Sequence, residues 1–191
     1  MKDLLELSSP KDAKLYLIVD IGLASSAMMR LFEKGSVSIL RKKLLEGELQ
    51  RVFSAESEKQ YGMIHSDFCK WGMQEIRLAK GGDNASYGQI AKTLDVALKV
   101  IVYYCHLPEC GKSKRISEWL NAAVDTKMMA ELKKQYPKDA ESWPTTLKEM
   151  NDCTYVSIQA TVRKFIDERP DSRLMPVQFD DMLWKKLNRS D

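Results

Sequence analysis

Along the chain, apolar residues recur three and four positions apart, and no stretch shows the strict alternation of a half-buried strand. Between Asp12 and Glu33, the residues Leu15, Ile18, Val19, Leu23, Ala27 and Leu31 share helical spacing, and Gly35 stands where a helix C-terminus favours glycine, so one helix is predicted there. Ser36 to Gly47 predicts a shorter helix, with the basic run Arg41-Lys42-Lys43 beside Ile39, Leu40, Leu44 and Leu45, before a polar connector from Ser54 to Gln60. From Ile64, the residues Phe68, Trp71, Ile76 and Leu78 support a helix that must stop at Gly81-Gly82, because paired glycines admit positive φ. Ser86 and Gln89 have the spacing of a capping box and start the next helix, Tyr87 to Tyr104. That helix is the most apolar of all, nearly encircled in its second half by Val96, Ala97, Leu98, Val100, Ile101 and Val102, and is expected to be central. Leu107-Pro108 ends it. A short helix through Ile116 to Leu120, another over Thr126 to Gln135, a long helical segment from Thr146 to Asp167 and a last helix from Phe179 to Leu187 complete the pattern. The expectation is an all-α, compact multi-helix domain spanning residues 1–191.

Composition agrees with this pattern: 44% hydrophobic and 30% charged residues, with only nine Gly and six Pro, suit a globular helical chain long enough to bury a core unaided. The apolar stretch from Val96 to Cys105 is interrupted by Lys99 and falls short of the roughly 20 residues a bilayer span needs. The first residues include Asp3 and Glu6 where a signal peptide would be basic and then apolar, so a cytoplasmic protein with no membrane partner is expected. Cys69, Cys105, Cys110 and Cys153 read as free packing thiols. A net charge of +3 points to no particular partner.

The residue that changes the picture is Lys99, because burying an ammonium group is costly. Such a lysine either reaches water or is a functional amine whose pKa desolvation lowers. The plainer alternative is a solvated stripe of Lys92, Asp95 and Lys99, with Asp95 and Lys99 paired at i, i+4. Asp125 carries the same ambiguity, since an aspartate before Thr126-Lys127-Met128 is a good helix N-cap. Cys105, His106 and Cys110 lack the spacing of a zinc site, and no metal or other cofactor is expected.

Three segments in order carry a resemblance: Ala91-Lys92-Thr93-Leu94-Asp95-Val96-Ala97-Leu98-Lys99-Val100, then Ala123-Val124-Asp125, then Asp180-Asp181-Met182-Leu183-Trp184. Together, over about residues 64–187, they resemble the helix-hairpin-helix DNA glycosylases, most closely the archaeal 8-oxoguanine DNA glycosylase branch, with Ala123 in place of that family's proline. The resemblance implies a helix-hairpin-helix element over about residues 64–104, and double-stranded DNA with a damaged or modified base as partner. It implies excision of a flipped-out base by cleavage of the N-glycosidic bond, carried out by a monomer that joins the nucleoid when bound to DNA. In that scheme Lys99 attacks C1′ and Asp125 stabilises the developing cation, Asp180 and Trp184 hold the base, and Trp71 and Gln89 are further base-binding candidates. Phosphates would meet the backbone of Gly81, Gly82 and Ser86 and the basic cluster Lys112, Lys114 and Arg115. Attack by the amine gives a Schiff base and permits strand cleavage, whereas attack by water leaves an intact abasic strand. Leu107-Pro108-Glu109-Cys110-Gly111 is also similar to the superfamily's Leu-Pro-x-x-Gly hairpin, but it leaves little chain before Asp125, so Gly81-Gly82 is read as the hairpin. The alternative is a non-catalytic helical module that binds DNA or protein.

Overall fold

Ser9 opens the first helix, α1 (Pro10–Ala24): its Oγ accepts from the Asp12 N–H at 3.2 Å, and Pro10 occupies a first-turn position where no N–H is needed. In this computed structural model, which describes residues 9–109, 111–169 and 174–188 apart from the side chains of 184, 187 and 188, α1 ends earlier than the apolar spacing predicts. Two serines stop it. Ser25 Oγ donates to the Ile21 carbonyl at 2.7 Å, and Ser26 Oγ accepts from the Met28 N–H at 3.4 Å to begin a short 3₁₀ turn, Ala27–Arg30. Local hydroxyl-to-backbone bonds of this kind compete with helix continuation, so the single helix expected up to Glu33 is two pieces.

The second predicted helix also differs in length. It runs as α2 (Ser36–Lys43), a π-helical turn (Leu44–Glu48) and α3 (Leu49–Phe53), with Gly47 at φ 153° marking a kink where an end was expected. Ser57 caps α4 (Glu58–Glu75), which begins before Ile64 and stops at Ile76. Isolated bridges Phe32–Leu78 and Arg77–Asn84 hold the connector, and Gly81 and Gly82 turn it at φ 88° and 67°. No strand occurs among the described residues. What the chain forms here is two packed helices joined by a glycine turn, α4 and then α5 (Tyr87–Leu98). The capping box at the start of α5 is complete: Ser86 Oγ accepts from Gln89 N–H and Gln89 Oε1 accepts from Ser86 N–H at 2.9 Å. A second π-helical turn, Lys99–Tyr104, prolongs α5 over the span predicted.

Beyond it lie α6 (Lys112–Trp119), α7 (Thr126–Gln135), a 3₁₀ turn (Leu147–Glu149), α8 (Asp152–Asp167) and α9 (Pro176–Asn188). Helix α7 has the predicted bounds, while the last two begin at other residues because Asn151 caps α8 and Pro176 occupies the first position of α9. Helix α5 is the spine of the molecule. It packs on α1, α4 and α8, and Ile90, Ala91, Ala97 and Leu98 are wholly buried. Its first turn comes so close to the Leu147–Met150 turn that a Cβ at Gly88 would lie 2.8 Å from the Leu147 carbonyl oxygen and 2.7 Å from Met150 Cβ. Gly88→Ala is therefore expected to destabilise the fold by about 1–3 kcal/mol, the usual effect of overpacking, measured as a lowered midpoint of urea unfolding. Among the described residues, no helix is long and apolar enough to cross a membrane.

Candidate functional site

Lys92 and Lys99 stand seven residues apart on α5, which at about 100° per residue returns them to nearly the same face. That face forms one wall of a cavity of about 440 Å³. Ser25 and Ala27 at the end of α1 form a second wall, and Ala123 and Asp125 with the start of α7 a third. Helix α9 closes the cavity with Asp180, Asp181 and Leu183. Of the residues expected at the site, Lys99, Asp125 and Asp180 are thus brought together, and Lys92 and Asp181 join them.

Asp125 serves two ends at once. Its Oδ1 accepts from the Met128 N–H at 2.8 Å as the N-cap of α7, while Oδ2 accepts from Lys92 Nζ at 3.4 Å. It is thus the N-cap of α7, as one of the two sequence readings has it, and it also lines the cavity. The lysine that reaches Asp125 is Lys92, however, and not Lys99, which the resemblance would set to work beside it. Lys99 Nζ instead donates to Asp180 Oδ2 at 2.6 Å and Asp181 Oδ1 at 2.7 Å, and only 12% of its side chain is exposed. Tyr104, on the π-helical turn, adds a 2.5 Å hydrogen bond from its hydroxyl to Asp181 Oδ2.

These contacts reverse the electrostatic expectation for Lys99. Burial alone would lower its pKa, but two carboxylates within hydrogen-bonding distance outweigh burial and raise it above the ordinary lysine value, holding the amine as an ammonium ion. Asp180 feels the converse: burial pushes its pKa up to about 6 against the opposing pull of Lys99, with Asp181 and Asp95 adding to the rise. Its second oxygen, Oδ1, is buried and has no hydrogen-bond partner among the described residues.

Asp95 does not pair with Lys99, which overturns the solvated-stripe alternative. Its carboxylate is fully buried, with Oδ1 2.9 Å from His65 Nε2 and Oδ2 accepting from the Tyr155 hydroxyl at 2.7 Å. His65 stacks on Tyr155 with ring centroids 5.2 Å apart, and Cys69 Sγ lies 3.7 Å from His65 Nδ1. Burial would lower the His65 pKa, but Cys69 and the adjacent Asp95 carboxylate prevail and carry it to about 10. The cluster ties α4, α5 and α8 together behind the cavity.

The remaining expected site residues are placed elsewhere. Gln89 is buried in the capping box, its oxygen already taken by Ser86 N–H, and it does not line the cavity. Trp71 packs against Phe68 with Lys43 above its ring, also away from the cavity. The Trp184 side chain lies outside the described residues. Ser86 Oγ, besides capping α5, donates to the Leu147 carbonyl at 2.6 Å, and the Gly82 carbonyl accepts from Arg77 at 3.3 Å. Lys112 and Lys114 are exposed on α6, while Arg115 lies over Trp119 and donates to the Ala55 carbonyl. The sequence held a signal for Lys92, namely its seven-residue separation from Lys99, but none for the Asp181 and Tyr104 contacts. Comparison with known proteins finds no match for this chain among family models, curated proteins or solved structures.

Proposed function

We propose that the chain is a DNA glycosylase that excises a damaged or modified base through the cavity between α5, α7 and α9. The observation that carries this reading is the gathering of three lysines and three aspartates around about 440 Å³, a volume within the range of small-ligand sites. An enzyme that breaks the glycosidic bond must take the nucleotide out of the stack and hold its base in such a recess. As the bond lengthens, C1′ becomes cationic, and the carboxylate of Asp125, fixed by the Met128 N–H, is a preorganised counter-charge.

The contacts favour Lys92 over Lys99 as the attacking amine. Lys99 is an ammonium ion clamped by two carboxylates, whereas Lys92 has the single, longer contact with Asp125. In the lyase-coupled version, Lys92 gives a proton to Asp125 and its nitrogen lone pair attacks C1′. The bond from C1′ to the base breaks with its electron pair leaving on the base, which takes the proton from Asp125; the adduct then opens to a Schiff base as the C1′–O4′ bond breaks with its pair on O4′, which takes a proton from the amine nitrogen. In the hydrolytic version Asp125 takes the proton from a water that attacks C1′, and the lysines supply only positive potential. Asp180, which lines the cavity and is held by Lys99, is the acceptor for an N–H on the base.

The test is excision from duplexes carrying a panel of oxidised, alkylated and bulky modified bases such as those of phage DNA, followed by borohydride trapping. Wild-type protein is expected to give abasic sites, and any covalent adduct is expected to vanish in Lys92→Gln and persist in Lys99→Gln. Absence of excision across the panel would favour the non-catalytic interaction module, and loss of the adduct in Lys99→Gln alone would return the nucleophile to Lys99.

A further inference from the structure

Helices α4 and α8 leave between them a groove of about 630 Å³ that shares no lining residue with the cavity. On its floor, His65 and Tyr155 spend their polar atoms on each other and on Asp95, and Gln159 spends its amide on the N–H and carbonyl of Ala122. These groups are satisfied from within, so the groove offers an occupant mainly apolar contact. Val156, on its α8 wall, is 62% exposed, and Met63, next to the lining residue Gly62, is 60% exposed. Gly62 stands inside α4, yet nothing lies within 4 Å of the place its Cβ would take. Glycine weakens a helix interior relative to alanine, and no contact among the described residues requires it here. The opening it leaves admits another chain at close range.

The charges choose the occupant. Asp152, in the first turn of α8, and Arg163, three turns on, line the groove toward its two ends. Asp152 is exposed and makes no ion pair among the described residues. Arg163 holds Glu58 at 3.0 Å and the Trp119 carbonyl at 3.4 Å, both through Nη2, and its side chain is still 31% exposed. Of the other charges on these two helices, Asp67 is held by Arg51 and Lys164 by Asp139, whereas Lys59, Lys70 and Asp167 are exposed. Both signs border the groove, which suits neither a polyanion nor a polycation. Opposite charges toward the two ends of one helix suit a second copy of that helix running the other way. A two-fold axis at the level of Ile158 puts Asp152 about 9 Å to one side and Arg163 about 7.5 Å to the other, so the two meet across it. The same axis lies midway between Val156 and Ala160, setting a branched side chain against a methyl group. Each contact then occurs twice, as in any isologous interface.

We infer that the groove is a dimer interface: a second copy of this chain lays its α8 antiparallel along α8, with Val156 against the partner's Ala160 and Asp152 against the partner's Arg163. This goes beyond the glycosylase reading and does not depend on it. Because groove and cavity share no lining residue, each copy keeps its own cavity, and the chain works as a pair rather than as the monomer the resemblance implies.

Sedimentation equilibrium of the full chain across the micromolar range tests this. Wild-type protein is expected to form a dimer, and Val156→Glu to weaken it roughly 100-fold by placing a carboxylate in the apolar contact. Because Val156 is exposed, the variant should fold, and a melting temperature matching that of monomeric protein at high dilution verifies it. The charge pairs give a sharper readout. Asp152→Arg and Arg163→Asp should each weaken self-association roughly tenfold or more, because like charges then face each other. An equimolar mixture of the two should associate as wild type does, since both of its charge pairs again have opposite signs. A wild-type chain that stays monomeric would overturn the inference and leave the groove to a small ligand or another protein. A dimer untouched by both Val156→Glu and Asp152→Arg would overturn it too, as would a mixture that associates no more tightly than its components.

Discussion

Asp125→Asn is expected to lower excision by about 100-fold or more while leaving the melting temperature within about 2 °C of wild type. The two halves of this expectation come from different oxygens of one side chain. Oδ1 caps α7 by accepting from Met128 N–H, and asparagine is as good an N-cap as aspartate, so the helix start survives the change. Oδ2 faces Lys92 and the cavity, and there the substitution removes the negative charge. Loss of a single preorganised group aimed at developing charge typically lowers kcat by about 10²–10³. Single-turnover excision and thermal unfolding of the same preparation check both parts. A tenfold or smaller effect on rate would leave Asp125 as a helix cap and nothing more.

The largest effect on stability is expected behind the cavity. Asp95→Ala should cost about 3–5 kcal/mol, because it leaves His65 and the Tyr155 hydroxyl buried without their acceptor. Denaturant unfolding at neutral pH measures the loss. The pH dependence provides a second readout whose sign is fixed. His65 has a folded pKa of about 10 against 6.5 when unfolded, so the folded state binds the extra proton between these values. Its stabilising contribution is complete below about pH 6.5 and disappears as the pH rises through about 10. Wild-type stability should therefore fall as pH rises across that window, and Asp95→Ala should flatten the slope. A wild-type profile that is flat from pH 7 to 10 would mean that His65 is buried neutral.

The parts of this molecule that were legible in the sequence are those fixed by neighbours. The span Tyr87–Tyr104 and the bounds Thr126–Gln135 follow from Ser86 with Gln89 and from Asp125, side chains that satisfy backbone groups three residues away. The break in α1 was not legible from periodicity, because Leu23, Ala27 and Leu31 keep the helical spacing while Ser25 and Ser26 redirect the backbone. The site was legible as a set of residues and not as a set of pairs. Lys99 meets Asp180 and Asp181, 81 and 82 residues away, and Asp95 meets His65 and Tyr155, 30 and 60 residues away. The nearest candidate for each, the other at i, i+4, lost to partners that only the packing of α4, α8 and α9 on α5 supplies. Spacing on one helix ranks local pairs and is silent about what a distant helix presents.

The π-helical turn at Lys99–Tyr104 has one more consequence, best stated as register. Wider than an α-helical turn, it acts like an extra tooth on a gear: every side chain after it is advanced by about a residue relative to the face that carries Lys92 and Val96. Tyr104 thereby comes into alignment with the carboxylates of α9, and the end of α5 meets a helix that an unbroken α-helical count would have presented with a different edge. The phase of the central helix is thus set at the cavity, so a one-residue insertion or deletion between Lys92 and Lys99 would unmesh the lysines from one set of aspartates or the other, and one between Lys99 and Tyr104 would turn the Tyr104 hydroxyl away from Asp181.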